Sequence, residues 1–249
     1  MTTQNISLFK ALGAKMNFLN QRQRVVSQNI ANADTTGFKV EQLMVGTEVG
    51  QGARNDAVRP GVSFVLDRGV GRDYGQGQLD QTGRPLDFAI EGDGAFFTVQ
   101  DGATEAYTRD GAFTLSPEGL LVTGAGLPVL GDGGEIRLDA SRGTPQIAGD
   151  GTISQDGQVV GRLTVVRFDT LSVLEKAGNG LYRNTSNARP IEAPDARIHQ
   201  GMLEGSNVNP LLEITSLIEI SRSYERITKM IEQSNELSRR SVERLGRVT

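Results

Sequence analysis

The chain has 249 residues, of which 37% are hydrophobic and 22% charged, enough for one large domain or two smaller ones. A formal net charge of -4 argues against a nucleic-acid partner, and no apolar stretch approaches the roughly 20 residues that a membrane span needs. The absence of cysteine excludes disulfides and thiolate chemistry.

The first predicted element is an amphipathic helix over about residues 5–33. Its apolar residues recur at intervals of four and three, which places them on one narrow seam, and so narrow a seam indicates a partner helix. The proposed seam residues are Phe9, Leu12, Met16, Leu19, Val26 and Ile30.

The stretch "SQNIANADTTGFK", residues 27–39, predicts the end of this helix. Its small polar side chains compete with helical hydrogen bonds, and Gly37 supplies the positive φ that stops a helix. We expect Phe38 to pack beside the helix end and Lys39 to face solvent.

An extended linker with one or two strands is expected over residues 37–80, followed by a β-rich domain over 81–204. Period-two patterns predict antiparallel strands near 95–100, 106–109, 112–115, 120–123 and 127–130. Asp156-Gly157 predicts a tight hairpin, and the other Asp-Gly pairs fit hairpin turns better than calcium or phosphate loops.

The last predicted element is a helix from Leu211 to Leu245, a run without glycine or proline that would span roughly 50 Å. Its seam consists of Leu217, Ile220, Tyr224, Ile227, Ile231, Val242 and Leu245. Together the patterns predict an α+β fold: a terminal helical domain (1–36 with 205–249) and a central antiparallel β domain. A helix this long must protrude, so we expect the seams to contact other molecules.

The sequence contains no group of residues that we expect to form a catalytic or metal site. His199 has no second histidine near it, and Asp87, Glu91 and Asp93 alternate around turns without forming an acid-base pair. We therefore predict no enzymatic activity, no metal and no cofactor.

Three stretches resemble the axial rod and hook proteins of the bacterial flagellum. Residues 27–39 are similar to an N-terminal signature, N-[IL]-A-N-x-x-T-x-G-[FY]-[KR], and "GQLDQTGRPLDFAIEGDGAFFTVQDG" with "YTRDGAFTLSPEGLLVT" is similar to a shared central segment. The stretch "GMLEGSNVNPLLEITSLIEISRSYERITKMI" resembles the C-terminal signature. The matching signature residues are Asn29, Ala31, Asn32, Thr36, Gly37, Phe38, Lys39, Gly201, Glu204, Ser206, Asn207 and Val208.

The resemblance implies a structural subunit of the flagellar basal-body rod, of the proximal-rod kind, with the terminal helices paired as a coiled coil on the inside of a tube. It further implies partners among other proximal and distal rod subunits and further copies of this chain. Export would pass through the flagellar type III apparatus without a cleaved signal peptide, to the periplasmic rod, with no nucleic acid and no membrane span. The alternatives are a distal rod subunit, a secreted β-rich adhesin or binding module with a helical stalk, and a glycan-processing enzyme.

Overall fold

The computed structural model describes the backbone of residues 3–49, 63–186 and 188–245, and the side chains of 10–44, 69–186, 188–237, 239 and 240. The fold is α+β, as predicted, and the chain divides into two compact units. The helical unit contains residues 1–31, 41–71 and 209–249, and the β-rich unit contains residues 32–40 and 72–208. Residues 37–80, predicted as a separate linker, are thus divided between the two units.

The helical unit contains the two terminal helices, α1 (Thr3–Ala31) and α2 (Pro210–Leu245), and two strands, β1 (Glu41–Val49) and β2 (Ser63–Arg72). Helix α2 has 36 residues and is therefore about 54 Å long. Its start is capped by Asn209, whose side-chain oxygen accepts hydrogen bonds from the Leu211 and Leu212 backbone amides. Pro210, the first residue of the helix, has no backbone N–H that would need an acceptor. Strands β1 and β2 form a two-stranded sheet, which agrees with the one or two strands expected in this stretch.

Helices α1 and α2 pack against each other along their apolar seams. The two run in opposite directions, since Asn20 hydrogen-bonds to Tyr224, Arg22 lies 4.0 Å from Glu219, and Asn29 reaches Glu213. The buried centre of the contact consists of Leu12, Leu19, Val26, Ile220 and Ile227, with Met16, Phe18, Ile30, Leu217, Tyr224 and Ile231 around it.

The β-rich unit is built from short strands, and each strand pairing resolved within it is antiparallel, as predicted. The strands are β3 (Leu79–Gln81), β4 (Phe88–Glu91), β5 (Ala95–Asp101), β6 (Thr104–Thr108), β7 (Thr114–Leu115), β8 (Leu121–Val122), β9 (Leu130–Gly131), β10 (Gly134–Glu135), β11 (Gln146–Ile147), β12 (Thr152–Gln155), β13 (Gln158–Arg162), β14 (Val165–Arg167), β15 (Leu174–Gly178), β16 (Leu181–Asn184), β17 (Ile191–Glu192), β18 (Arg197–Gln200) and β19 (Met202–Glu204). A short 3-10 helix, Leu171–Val173, precedes β15.

The largest sheet has six strands in the order β15-β16-β6-β5-β14-β17, and a three-stranded sheet has the order β11-β12-β13. Strand β5 is buried on both faces: Phe97 belongs to the main core and its neighbour Phe96 to a second, aromatic core with Tyr74, Tyr107 and Phe168. Strand β18 pairs with β4 and β19 with β3, so the end of the unit pairs with its beginning.

The Asp156-Gly157 hairpin is confirmed. Asp156 and Gly157 have φ values of 51° and 76°, and Gln155 pairs with Gln158 across the turn. The strands predicted at 112–115, 120–123 and 127–130 are shorter than expected. Strands β7, β8 and β9 each have two residues, and Ala112, Pro128 and Val129 take part only in isolated β-bridges.

Candidate functional site

The two signature stretches meet inside the β-rich unit. The Gly37 amide donates to the Glu204 carbonyl (2.7 Å), and the Asn207 amide donates to the Phe38 carbonyl (3.3 Å). The Asn207 side-chain oxygen accepts a hydrogen bond from the Val40 amide at 2.7 Å. We call residues 36–40 and 201–208, which these bonds tie together, the signature junction.

Three charged side chains form a buried ion cluster at the signature junction. The Glu204 carboxylate lies 2.5 Å from Lys39 Nζ and 2.7 Å from Arg109 Nε, and each of the three side chains is at most 1% exposed. The prediction that Lys39 faces solvent is therefore wrong. A lysine next to a helix end is normally solvated, but this one meets a carboxylate 165 residues further along the chain.

Backbone groups make further hydrogen bonds with Lys39 and with one oxygen of Glu204. Lys39 Nζ donates to the Gly75 carbonyl at 2.7 Å, and the Gly77 amide donates to Glu204 Oε1 at 2.9 Å. Asn207 holds the same loop, since its amide nitrogen donates to the carbonyls of Asp73 (2.9 Å) and Gly75 (3.0 Å). Residues 73–77 therefore wrap around the cluster and exclude water from it.

Arg109 is the member of the cluster that the sequence did not single out. Its guanidinium donates to the carbonyls of Ala95 (2.9 Å) and Gly92 (2.6 Å), so that it links β5 and the preceding turn to Glu204. Arg109 lies in the stretch "YTRDG", which was noted for its family resemblance, but nothing local marks its side chain as buried.

Burial lowers the pKa of the Lys39 amine, and the attraction of Glu204 opposes that shift. The same two causes act in the same order on the pKa of Arg109, which burial lowers. Glu204 is the anion that acts most strongly on both cations, and Asp93 adds a weaker attraction to each. Removing one partner of a buried ion pair typically costs about 3–5 kcal/mol.

Gly37 allows the signature junction to close. Its φ is +66°, which confirms the predicted left-handed conformation, but α1 already ends at Ala31, so Gly37 does not itself stop the helix. A Cβ at this position would lie 2.5 Å from the Arg109 carbonyl carbon and 2.6 Å from the Asp110 nitrogen. Gly77 is equally tight, since its Cβ would lie 2.1 Å from the Gly205 oxygen. A larger residue at position 37 would push its backbone away from Arg109 and Asp110, and a larger residue at position 77 would push its backbone away from Gly205.

Asn29, the first asparagine of the N-terminal signature, makes its hydrogen bonds within the helical unit and not at the signature junction. Asn29, which is 1% exposed, donates to the Glu41 carbonyl at 2.8 Å and accepts from the Glu41 amide at 2.9 Å. Its side-chain nitrogen also lies 3.2 Å from a Glu213 carboxylate oxygen. Asn29 thereby joins α1, β1 and α2.

The other signature residues shape turns or fill space. Asn32 accepts the Thr35 amide, Gly201 has a φ of 73°, and the Ser206 hydroxyl accepts the Val208 amide at 3.2 Å. Phe38 and Val208 are buried, Thr36 is half-buried and Ala31 is exposed at the end of α1.

The predicted seam residues lie together at the contact between α1 and α2. Those with described side chains, Leu12, Met16, Leu19, Val26, Ile30, Leu217, Ile220, Tyr224, Ile227 and Ile231, all belong to that cluster. The side chains of Phe9, Val242 and Leu245 lie outside the described residues. The seams meet each other within one chain, and their contact with neighbouring subunits stays a prediction.

Helix α2 carries a second apolar face that the sequence analysis missed. Leu211, Ile214 and Ile218 are 73%, 45% and 47% exposed, and their spacing of three and four places them on one side of the helix, turned away from the seam. We call these three residues the outer strip. The same spacing rule that revealed the seam would have revealed the strip.

The groups considered for catalysis have structural partners. His199 Nε2 lies 2.9 Å from Glu91 Oε2 at an exposed position, and the Glu91 pKa is lowered by that hydrogen bond. Asp87 is buried, which its sequence context did not indicate, and it accepts hydrogen bonds from Thr82 Oγ1 (2.6 Å) and Arg84 Nε (2.7 Å).

Two kinds of feature are absent from the described residues. No group of three or more histidine, aspartate or glutamate side chains there could hold a metal ion. In the same part of the chain, neither helix has a stretch long and apolar enough to cross a membrane.

Comparison with known proteins gives three family matches in chain order. Residues 14–39 match the model described as "Flagella basal body rod protein", residues 89–161 match "Flagellar hook protein FlgE/F/G D1 domain", and residues 199–244 match "Flagellar basal body rod FlgEFG protein C-terminal". The first and third matches contain most of the signature junction, so the buried contact joins two of the matched regions.

Full-length relatives agree with these matches. The flagellar basal-body rod protein FlgF of Caulobacter vibrioides is 51% identical over 244 residues, covering 97% of this chain and 98% of the relative. FlgF of Mesorhizobium japonicum is 36% identical (96% and 98% covered), and the rod protein FlgG of Bacillus subtilis is 32% identical (93% and 96% covered). The chain therefore belongs to the family of flagellar basal-body rod proteins. Within that family it is most like the proteins named FlgF.

Proposed function

We propose that the chain is a structural subunit of the proximal part of the flagellar basal-body rod. In this proposal it assembles with other rod subunits and with further copies of itself into the helical shaft that transmits motor torque, and it has no enzymatic role. The observation that carries the proposal is the 51% identity to a FlgF protein across nearly the whole chain. The FlgG relatives make a distal rod position the alternative. The adhesin alternative has no support in the comparisons.

The terminal helices are proposed to pair as a coiled coil and to form the inner part of the assembly. Two observations support this: the seams follow a three-four spacing, and they pack against each other in opposite directions. The sequence predicts that the seams contact neighbouring subunits. Because the seams also pack against each other within one chain, we propose that the outer strip provides the main contact with a neighbouring subunit. A head-to-tail contact of this kind generates an open helical assembly when its rotation does not close.

The outer strip is large enough to contribute to such a contact. Full burial of one leucine or isoleucine side chain contributes about 1.5–3 kcal/mol, so three partly exposed ones would contribute roughly 2–5 kcal/mol before ordering costs. Many weak contacts of this size, repeated along a shaft, would stabilise the shaft while each single contact remains reversible.

We propose that the chain is located in the periplasmic part of the basal body. It would reach this location through the flagellar type III export apparatus, without a cleaved signal peptide. Both points rest on family membership, which supports the basal body as the location.

A pair of double substitutions in α2 tests the assembly surface. Ile214→Asp with Ile218→Asp charges the outer strip and should leave the contact with α1 intact while abolishing incorporation into rods. Leu217→Asp with Ile231→Asp charges the seam and should loosen α1 from α2, with loss of incorporation as a consequence. Incorporation is measured by the amount of chain in purified basal bodies, and folding of the β-rich unit by the near-ultraviolet circular dichroism of its tyrosines.

A matched control uses polar exposed positions of the same helix, Arg222→Asp with Glu225→Lys, which should incorporate normally. Normal rods and motility with the outer-strip variant would show that the strip is not the assembly surface. Electron microscopy of basal bodies carrying a tagged chain separates the two rod positions, because a label at the distal end of the rod contradicts the proximal assignment.

A further inference from the structure

Helix α1 carries four basic side chains and no acidic one. Its charged residues are Lys10, Lys15, Arg22 and Arg24, and the first acidic residue of the chain is Asp34. Helix α2, by contrast, has six glutamates and six basic residues. A helix without carboxylates cannot form ion pairs between its own turns, and no acidic side chain complements the dipole at its N-terminus. Carboxylates that pair with these cations must therefore come from outside α1.

Two of the cations lie on the side of α1 that faces away from the seam. Lys10, Asn17 and Arg24 are each two positions before a buried seam residue, and two positions along a helix correspond to a rotation of about 200°. All three side chains are exposed, and none of them has a hydrogen-bond or ion-pair partner among the residues that the structure describes. This side of the helix is therefore polar, positively charged and unpaired.

Gly13 lies on the same side, between Lys10 and Asn17 on successive turns. A glycine inside a helix is less favourable than an alanine, so its presence calls for a reason. Packing within the chain supplies none, because a Cβ at position 13 would meet no atom of the described structure within 4 Å. The missing side chain leaves room for another molecule to approach the helix backbone. We call Lys10, Gly13, Asn17 and Arg24 the cationic face.

The β-rich unit has the opposite charge. It contains 20 aspartate and glutamate residues against 12 lysine and arginine residues, whereas the helical unit contains 10 against 14. Two of the 12 cations, Lys39 and Arg109, are buried beside Glu204 and contribute nothing to the surface. Two copies of the chain thus offer each other complementary charges, which favours an encounter between α1 of one copy and the β-rich unit of the other.

We infer that the cationic face of α1 is a binding surface for the β-rich unit of a second copy of this chain. Lys10 and Arg24 pair with carboxylates of the neighbouring copy, and Gly13 allows that copy to lie close to the helix. The contact joins two different surfaces, so it is head-to-tail and can repeat without closing. This inference rests on the proposed function, because it concerns neighbouring copies in one rod, and it adds a second contact to that of the outer strip.

A photo-crosslinking amino acid in the cationic face identifies what lies against it in the assembled rod. In the test, p-benzoylphenylalanine replaces Asn17 in the full-length chain, and purified basal bodies are irradiated. The expected product has twice the 26.8 kDa mass of the chain, and its linked peptide, identified by mass spectrometry, lies within residues 72–208. If the Asn17 variant is not incorporated, the same replacement at Gln28, an exposed position on the same side of α1, is used.

Three variants of the labelled chain show whether charge and close approach matter. Arg24→Glu reverses a charge of the cationic face and should lower the cross-link yield per incorporated chain several-fold. Lys15→Glu is the matched control, because it reverses an exposed charge that borders the seam, four positions before Leu19, and should leave the yield unchanged. Gly13→Gln adds an uncharged side chain and should also lower the yield several-fold, while the helicity of the isolated chain, measured by circular dichroism, stays the same or rises.

A cross-link within one chain, to the helical unit of a second copy or to a different protein overturns the inference, and so does the absence of any cross-link. Equal yields for Arg24→Glu and Lys15→Glu overturn it as well, because the contact would not depend on the charge of this face. An unchanged yield for Gly13→Gln has the same consequence. The proposed function is tested separately: absence of the unlabelled chain from basal bodies refutes it, whereas a chain that is present but not cross-linked refutes only this inference.

Discussion

Replacement of Gly37 by alanine should destabilise the β-rich unit far more than the same replacement at Gly102. Both glycines have left-handed backbones, with φ of 66° and 63°, so both replacements carry the cost of about 1–2 kcal/mol for an L residue in that region. At Gly102 a Cβ meets nothing within 4 Å, whereas at Gly37 it would lie 2.5–2.8 Å from three backbone atoms of Arg109 and Asp110. Overpacking of this kind adds about 1–3 kcal/mol.

The expected loss in the free energy of unfolding is therefore about 1–2 kcal/mol for Gly102→Ala and about 2–5 kcal/mol for Gly37→Ala. Urea unfolding followed by tyrosine signals measures both, because the chain has four tyrosines and no tryptophan. Asparagine substitutions give a second comparison. Asparagine tolerates a left-handed backbone, so Gly102→Asn should hardly change the free energy of unfolding. Gly37→Asn should still lower it, because its Cβ would meet the same backbone atoms of Arg109 and Asp110. Equal losses at the two positions would refute the assigned role of the close approach to Arg109.

Two further predictions concern the helix contact and the aromatic core. Ile220→Ala, at a buried position between α1 and α2, should cost about 2–5 kcal/mol by thermal unfolding, whereas Met230→Ala on the exposed side should change stability by less than about 0.5 kcal/mol. Burial, then the nearby Glu105 carboxylate, raises the pKa of Tyr107 to about 12. Between about pH 10 and 12 the Tyr107 hydroxyl keeps its proton in the folded state and loses it in the unfolded state, so the free energy of unfolding should fall as pH rises through this range. In a titration followed by tyrosinate absorbance, the ionisation that occurs at the highest pH should be missing from Tyr107→Phe.

Elements with strong periodicity were predictable from the sequence. Helix α1 was expected over about residues 5–33 and spans Thr3–Ala31, and α2 differs from its predicted start by one residue. The seam residues whose side chains the structure describes also lie where the three-four spacing places them. Such patterns are enough to predict a helix, because its buried residues recur every three to four positions and this spacing is visible within a short stretch of sequence.

The buried ion cluster was not predictable in the same way. Lys39 follows a helix end and Arg109 precedes an Asp-Gly turn, two settings in which a cation usually lies in solvent. What buries them is Glu204, which is close in space but distant in sequence. The family resemblance therefore identified Lys39 and Glu204 as signature residues without indicating that they form an ion pair, and it did not mark Arg109 as their partner.

The way the chain passes between its two units has a mechanical consequence. It crosses from one unit to the other after residues 31, 40, 71 and 208, so four peptide connections join the units rather than one. A pull or twist applied to one unit is divided among these parallel tethers, and cleavage of any one leaves three intact. For a molecule proposed to carry torque, this multiplicity provides strength in shear that a single linker could not give.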